Sequence, residues 1–189
     1  MKATAKSKTA DKPKTNAQII RSRRSNAETV RDGINLIVRL VVLVLFAYIF
    51  FTQVFIIMQA PGNDMFPAIK DGDLLIGYRL QKDFSKNDVV IYTHDGETKV
   101  GRILGKGTDI INIDEEGTLY VNGTAQAGEI LYPTYAKEEA VSYPYTVPEG
   151  SVFILGDYRT QSEDSRDFGA VSRDDVQAKV ITLLRRRSL

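Results

Sequence analysis

Leu40–Ile57 reads LVVLVLFAYIFFTQVFII, and this uncharged run decides how the rest of the chain is organised. At about 1.5 Å per helical residue it spans roughly 27 Å, close to the hydrocarbon thickness of a bilayer. A buried core helix would carry polar residues at helical spacing, and a cleaved signal peptide would have an apolar region of only about 7–15 residues. The sequence therefore predicts an uncleaved transmembrane helix over residues 34–58, followed by a separate domain.

Charge is distributed unequally about this run. Residues 1–39 hold ten basic and three acidic side chains, a balance of +7, whereas residues 59–189 hold 15 basic and 21 acidic ones, a balance of −6. Because positive charge stays on the cytoplasmic side of a membrane helix, we expect a single-pass protein with its amino terminus in the cytoplasm and its carboxy-terminal domain outside the cell. Residues 1–33 are expected to form a disordered basic tail. The tail has no aromatic residue to stack on bases, so no nucleic-acid partner is expected.

Composition excludes several classes of site. The 189 residues include no Cys and a single His, His94. The chain therefore has no disulfide, no thiolate metal site and no cysteine nucleophile, and a multi-histidine metal site is excluded as well. We expect neither a metal nor a cofactor. An exported domain without Cys also fits a Gram-positive cell surface, where disulfides are uncommon.

Beyond residue 60 the pattern is typical of a mainly β domain, which we place at residues 59–189. Short apolar runs alternate with turn dipeptides, and Asn122-Gly123 after Thr118–Val121 is the clearest hairpin signal. A short helix is expected over Arg173–Lys179. The predicted strands are Leu74–Tyr78, Val89–Tyr92, Val100–Leu104, Ile110–Ile113, Leu119–Val121, Val152–Leu155 and Val180–Leu184.

Three blocks in this domain resemble the motifs of type I signal peptidases, in the same order. Gly62–Ile69 (GNDMFPAI) resembles the nucleophile motif G-x-S-M-x-P-T-L. Lys99–Gly105 (KVGRILG), followed by Asp109, resembles the lysine motif K-R-V-I-G-x-x-G-D. Gly156–Gly169 (GDYRTQSEDSRDFG) resembles the last box, G-D-N-R-x-x-S-x-D-S-R-x-F-G. The resemblance implies a β-rich, membrane-anchored fold of the signal-peptidase kind.

The resemblance also implies a serine/lysine dyad, and here this sequence departs from the family. A serine is a weak nucleophile until a base removes its proton, and lysine serves as that base only when burial lowers its pKa toward neutrality. Matched to the family motifs, the nucleophile position is Asp64 and the base position is Gly101. No Ser, Thr or Cys lies between Met58 and Phe66. We therefore expect no catalytic residue at the degenerate dyad positions.

Three alternative uses of nearby residues have to be weighed. Lys99 lies two residues from Gly101 and in a strand would face the same side, about 6.6 Å farther along. Asp64 could act as in an aspartyl protease if a second carboxylate, such as Asp157 or Asp164, shared a proton with it. Ser162 matches the serine that hydrogen-bonds the lysine in the family, but it faces a position without a side chain.

By the same resemblance, an extended peptide would bind in a groove by adding to a sheet edge. Gly62 and Gly101 are expected to leave room for it, and Asp64 is expected to favour a basic partner segment. The expected groove residues are Gly62, Asn63, Asp64, Met65, Pro67, Gly101 and Ser162. The residues expected to be structural are Arg102, Gly156, Asp157, Arg159, Asp164 and Arg166, and in the family the match to Asp164 pairs with the match to Arg166.

The sequence lacks both dyad residues but retains the surrounding motifs. In this it resembles the signal-peptidase-like proteins of streptococcal pilus gene clusters. That resemblance implies a non-catalytic accessory factor, a chaperone or scaffold for sortase-mediated pilus assembly, with pilin subunits or a sortase as partners. Two alternatives remain open. The chain could be an active type I signal peptidase with an unconventional site, or a membrane module that recruits a sortase.

Overall fold

The computed structural model describes residues 16–126, 131–137 and 141–185, and its contacts divide the chain after Ile49. Helix α1 runs from Asn16 to Val54. Part of the segment expected to be disordered, residues 16–33, is therefore helical, and residues 1–15 lie outside the described residues. Extending an existing helix is far easier than starting one, which explains why the polar segment continues the apolar helix. Within α1, Thr29–Val54 is long and apolar enough to cross a membrane.

The carboxy-terminal end of the apolar run is not helical, which corrects the predicted helix over residues 34–58. The helix ends at Val54, and Phe55–Gln59 forms strand β1. Ile56 and Met58 pack against a buried cluster, whereas Ile57 between them is 65% exposed. A two-residue alternation is thus hidden inside a continuous apolar run, where periodicity alone does not separate helix from strand.

Eleven strands form two antiparallel sheets in the described residues. The larger sheet has the order β1-β2-β11-β3-β4-β9-β10 and the smaller has the order β7-β6-β5-β8. The remaining strands are β2 Leu74–Tyr78, β3 Val89–His94, β4 Glu97–Lys106, β5 Ile110–Ile113, β6 Leu119–Val121, β7 Thr124–Ala125, β8 Tyr145–Thr146, β9 Ser151–Leu155, β10 Val171–Ser172 and β11 Val176–Leu184.

All seven predicted strands are present, and the Asn122-Gly123 hairpin joins β6 to β7 with both turn residues at positive φ. The predicted helix over Arg173–Lys179 is wrong beyond its first turn. A 3-10 turn covers Arg173–Asp175, and β11 then begins at Val176. Because Val176 and Ala178 are buried on alternate positions of β11, tertiary packing overrides the local helical preference.

The large sheet is covered on both faces, so neighbouring residues of one strand enter different clusters. Val90 and Tyr92 of β3 belong to a cluster with Ile103 and Ile154. Ile91, between them, belongs to a second cluster that also contains Met65, Ile69, Leu75, Val100 and Ala178. A third cluster joins β9 to the smaller sheet through Phe153 and Leu155. This alternation decides which side chains face the candidate site.

Candidate functional site

The first and last motif blocks meet at the backbone of Asp64. The Tyr158 N–H donates to the Asp64 carbonyl oxygen at 2.8 Å. A Cβ on Gly156 would lie 2.6 Å from that oxygen and 2.4 Å from the Ser162 Cβ. Only glycine permits so close an approach. The first and last blocks are therefore packed directly against each other at the position where the family places its nucleophile.

The base position does not open into a groove. A Cβ built on Gly101 would lie 2.4 Å from the Ile154 Cγ2 and 3.3 Å from the Tyr92 Cε1. Gly101 pairs with Val90 across the β3–β4 ladder, and Tyr92, two residues farther along, shares its face. The space that a lysine side chain would need is filled by core side chains. The expectation that Gly101 leaves room for a bound peptide is therefore wrong.

Tyr92 does not replace the missing base. Burial raises the pKa of its phenol well above the ordinary value, and the nearby carboxylates Asp164, Asp64 and Glu163 raise it further. A phenol with a raised pKa stays protonated at neutral pH, so it is a hydrogen-bond donor and not a proton acceptor.

Lys99 does face the same side of β4 as Gly101, but its environment is the opposite of what a general base needs. Its Nζ lies 2.9 Å from Glu163 Oε2 and 3.9 Å from Glu97 Oε2. Burial alone would lower the pKa of Lys99, but the hydrogen bond and charge of Glu163, with Glu97 and Asp64, outweigh it and leave the pKa raised. Lys99 therefore stays an ammonium at neutral pH and abstracts no proton.

Asp157 and Asp164, the two carboxylates that could share a proton with Asp64, are each paired with an arginine. Arg102 donates to both oxygens of Asp157, at 2.8 and 2.6 Å. Arg166 donates to both oxygens of Asp164, at 2.9 and 3.0 Å. Each pair is a bidentate arginine–carboxylate contact, so both carboxylates already have a strong hydrogen-bonding partner. Among the described residues, no second carboxylate shares a hydrogen bond with Asp64, and an aspartyl-protease arrangement is not present there.

Asp164 is the centre of a buried network that fixes the last block. Besides Arg166, its carboxylate accepts from the Gly156 N–H at 3.0 Å and from the Ser162 Oγ at 2.8 Å. Arg159 ties the same region together by donating to the Gly156 carbonyl oxygen at 2.8 Å and to Thr134 Oγ1 at 2.5 Å. Ser162 is fully buried within this network. It is therefore a structural residue, and it is not part of the lining of the cavity beside Asp64.

An open cavity lies beside Asp64, on the face of β4 opposite to Gly101. It is continuous with solvent and has a volume of only about 10 Å³, room for about one water molecule. Of the seven expected groove residues, Gly62, Asp64 and Met65 line it, whereas Gly101 and Ser162 lie behind it in the core. Asn63 instead accepts a hydrogen bond from the Asp71 N–H through its side chain. The other lining residues are Ala60, Pro61, Ile69 and Val100, and Pro67 is not among them.

A sheet edge runs past this cavity. Strand β9 pairs with β4 from Arg102 to Lys106. The described pairings therefore give Glu97 through Gly101 a partner strand only on the β3 side. Unpaired backbone groups of this kind accept an added strand, and side chains of that strand would alternate toward the cavity. Sequence reasoning missed Val100 because it followed the motif match to Gly101, although adjacent strand residues face opposite sides.

With this geometry in hand, comparison with known proteins identifies the family. The sequence model described as "Signal peptidase, peptidase S26" matches residues 33–184. The chain belongs to this family. Its fold is accordingly the mostly β signal-peptidase fold, with one amino-terminal apolar helix that could span a membrane.

Two signal peptidases agree with this assignment in sequence. The chain is 33% identical over 120 residues to a signal peptidase I of Bacillus licheniformis, covering 56% of this chain and 63% of that protein. It is 30% identical over 138 residues to signal peptidase IB of Staphylococcus aureus, covering 63% of this chain and 72% of that one. A solved structure of a signal peptidase I from Enterococcus faecalis is 28% identical, with a TM-score of 0.43 over 53% of this chain and 97% of the other.

Proposed function

We propose that this member of the signal peptidase family is not a peptidase but a membrane-anchored binding protein, an accessory factor for sortase-mediated pilus assembly at a Gram-positive cell surface. The main support for this proposal is the packing around Gly101, the position that matches the lysine of the family. Ile154 and Tyr92 are packed where a side chain would extend from residue 101, so this position supplies no general base, and Asp64 supplies no hydroxyl nucleophile. Acyl transfer by the serine/lysine route needs both groups.

The retained parts support binding. The network around Asp164 and the contact between Gly156 and Asp64 keep the cavity and the β4 edge in place. A bound peptide would be held without being cleaved and would leave by dissociation. The pilus role rests on the likeness to signal-peptidase-like proteins of pilus gene clusters, and the outward orientation of the domain rests on the +7 segment that precedes the apolar run.

One observation favours the alternative of an active peptidase: the relatives named above are signal peptidases. A catalyst with an unconventional site would release product, whereas a scaffold would not. A module that recruits a sortase differs from both, because it would bind the enzyme and not the pilin. Crosslinking from the cavity in cells distinguishes these partners by what is captured.

The test uses pilus polymerisation in a Gram-positive host that carries the pilin and sortase genes of the source organism. Pro61 is exposed and lines the cavity, so Pro61→Trp should cover the cavity without disturbing the core. We expect this variant to abolish the high-molecular-mass pilin ladder on an immunoblot. Pro148→Trp, at an exposed turn away from the cavity, is the matched control and should leave the ladder intact. Normal ladders with a folded Pro61→Trp protein would show that the cavity is not used.

A further inference from the structure

Three aromatic rings contact one another in series beside the first and last motif blocks. The Phe66 ring centroid lies 5.6 Å from that of Tyr158, and the Tyr158 centroid lies 4.8 Å from that of Tyr132. The interplanar angles are 49° and 39°, so each ring leans against the next without stacking flat on it. We call these three residues the aromatic strip. None of them lines the cavity beside Asp64.

The middle ring of the strip is a departure from the family motif. In the last block, Tyr158 is the only residue that differs from the specified positions of G-D-N-R-x-x-S-x-D-S-R-x-F-G, which has asparagine there. The contact of this residue with Asp64 is made by its backbone N–H, at 2.8 Å from the Asp64 carbonyl oxygen. The tyrosine side chain is therefore not needed to hold the two blocks together, which points to a role at the surface.

The aromatic strip belongs to the surface and not to the core. All three rings are half-buried, and none belongs to the buried clusters that hold the two sheets together. Among the described residues, none hydrogen-bonds the phenol oxygen of Tyr132 or Tyr158. In the same loop as Tyr132, Leu131 is 70% exposed and Tyr135 is 50% exposed. Aromatic side chains with unoccupied polar ends are typical of a binding surface.

The loop that carries Tyr132 is fixed by the last block. Thr134, two residues farther on, is buried and accepts from Arg159 at 2.5 Å, and its N–H donates to the Gly117 carbonyl oxygen at 2.8 Å. The Arg166 guanidinium donates to the carbonyl oxygen of the next residue at 3.2 Å. Because these contacts hold the loop before any partner arrives, little conformational entropy is lost when one binds.

A polyproline II segment has the dimensions and the chemistry that this surface requires. Such a helix is extended, has no internal hydrogen bonds and repeats every three residues, about 9.3 Å. Centroid steps of 5.6 and 4.8 Å limit the strip to about one such repeat, which brings two prolines three residues apart onto it. Proline rings dock on aromatic side chains, and the unpaired backbone carbonyl groups of the segment accept from tyrosine hydroxyls.

We propose that the aromatic strip binds a proline-containing peptide segment in the polyproline II conformation. Prolines three residues apart lie on Phe66 and Tyr132, and the Tyr158 hydroxyl donates to a carbonyl oxygen between them. This inference goes beyond the proposed function, because the strip lies outside the cavity and its ligand does not depend on pilus assembly. The match between the strip and the polyproline II repeat favours a peptide over a glycan, the other common ligand of aromatic surfaces.

The test measures binding of fluorescein-labelled peptides to the full chain in micelles of an uncharged detergent by fluorescence anisotropy, with protein-free micelles as the blank. One probe is Ala-Pro-Ala-Ala-Pro-Ala, with its prolines three residues apart. The other is Ala-Pro-Ala-Pro-Ala-Ala, which has the same composition and prolines two residues apart. We expect the first peptide to bind about three- to tenfold more tightly, because only its prolines reach both outer rings and one ring contact contributes that factor.

Three variants locate the effect. Tyr158→Asn restores the residue of the family motif, so the fold should be kept, and removes the middle ring. It should weaken binding of the first peptide by about tenfold or more. Tyr158→Phe keeps the ring and removes only the hydroxyl, so it should weaken binding less than Tyr158→Asn does. Tyr120→Asn makes the same change on β6, outside the strip, and should leave the affinity unchanged.

Several results would overturn this proposal. Equal affinity for the two peptides, absence of binding by both, or an affinity unchanged in Tyr158→Asn would each do so, and none of them would affect the proposed function, which depends on the cavity. Calorimetry with chitotetraose tests the glycan, and binding of this sugar without binding of either peptide would assign the strip to glycans instead. The comparison of the two peptides on the unaltered protein is decisive even if a variant fails to fold.

Discussion

Adding one methyl group at Gly101 is the most direct perturbation of the filled base position. In Gly101→Ala the new Cβ would lie 2.4 Å from the Ile154 Cγ2, a distance that packed carbon atoms do not adopt. The neighbours cannot give way freely, because Ile154 is fully buried and Tyr92 is only 1% exposed. Overpacking of a dense core costs about 1–3 kcal/mol. For a unit of this size that loss lowers the melting temperature by roughly 4–12 °C.

The clash with Ile154 also predicts which second substitution restores stability to Gly101→Ala. Ile154→Ala removes the Cγ2 methyl group and alone should cost about 2–5 kcal/mol as a cavity-forming change. In that background the Gly101→Ala methyl group has space, so the double variant should be more stable than the sum of the two losses predicts. We expect a coupling energy of about 0.5–3 kcal/mol, the range typical of residues in contact.

Thermal denaturation followed by near-ultraviolet circular dichroism is a suitable assay, because the chain has nine Tyr and no Trp. The signal therefore reports tyrosine packing, including that of Tyr92. Gly33→Ala is the matched control, since a Cβ there has no atom within 4 Å. It should leave the transition of the β domain unchanged. Two results would refute the idea that the space at residue 101 is filled. One is a melting temperature of Gly101→Ala equal to that of the wild type. The other is the same loss of stability from Gly101→Ala with and without Ile154→Ala.

Three further predictions follow from the charges. The pKa of Asp64 is raised in the folded state, so ionisation of Asp64 destabilises the fold as the pH rises through that pKa. Asp64→Asn should therefore have a higher melting temperature than the wild type at pH 7. The difference should be lost below about pH 4, where the carboxyl group is protonated in both the folded and the unfolded state. Arg166→Leu leaves the buried Asp164 carboxylate without its cation and should lower the free energy of unfolding, measured by urea denaturation, by about 3–5 kcal/mol. Lys179→Leu breaks a more exposed pair with Asp88 and should lower it by less than about 1 kcal/mol. On wall-stripped cells, added protease should digest residues 59–189 and spare an amino-terminal tag, and the reverse pattern would overturn the proposed orientation.

Much of the fold could be predicted from the sequence, because its strands carry clear local signals. Leu74–Tyr78 and Ile110–Ile113 are strands with the predicted bounds, flanked by turn residues that define their ends. Strand β1 was not predicted, because Phe55–Gln59 continues an apolar run and gives no boundary. Only pairing with β2 reveals the alternation within it. The two-residue strands β7, β8 and β10 depend on their partners in the same way.

The candidate site was predicted in part. Asp64 and Ser162 were both expected in the groove, and only Asp64 lines the cavity, whereas the Asp164–Arg166 pair is present as the family resemblance implies. The surroundings of Gly101 could not be predicted, because Ile154 is 53 residues away in sequence and reaches this position only through the β4–β9 pairing. A missing side chain in a sequence does not indicate whether space remains or a neighbour has filled it.

Turnover tests most directly the proposal that this protein cleaves no signal peptide. The full chain in detergent micelles is incubated with a signal-peptide substrate, and the products are separated by mass spectrometry. Signal peptidase IB of Staphylococcus aureus serves as the positive control. We expect no product above the buffer background from the wild type, and none from Asp64→Ser combined with Gly101→Lys, because Ile154 and Tyr92 still occupy the space of the lysine. Cleavage at a single site by the wild type, lost in Asp64→Ala, would contradict the account.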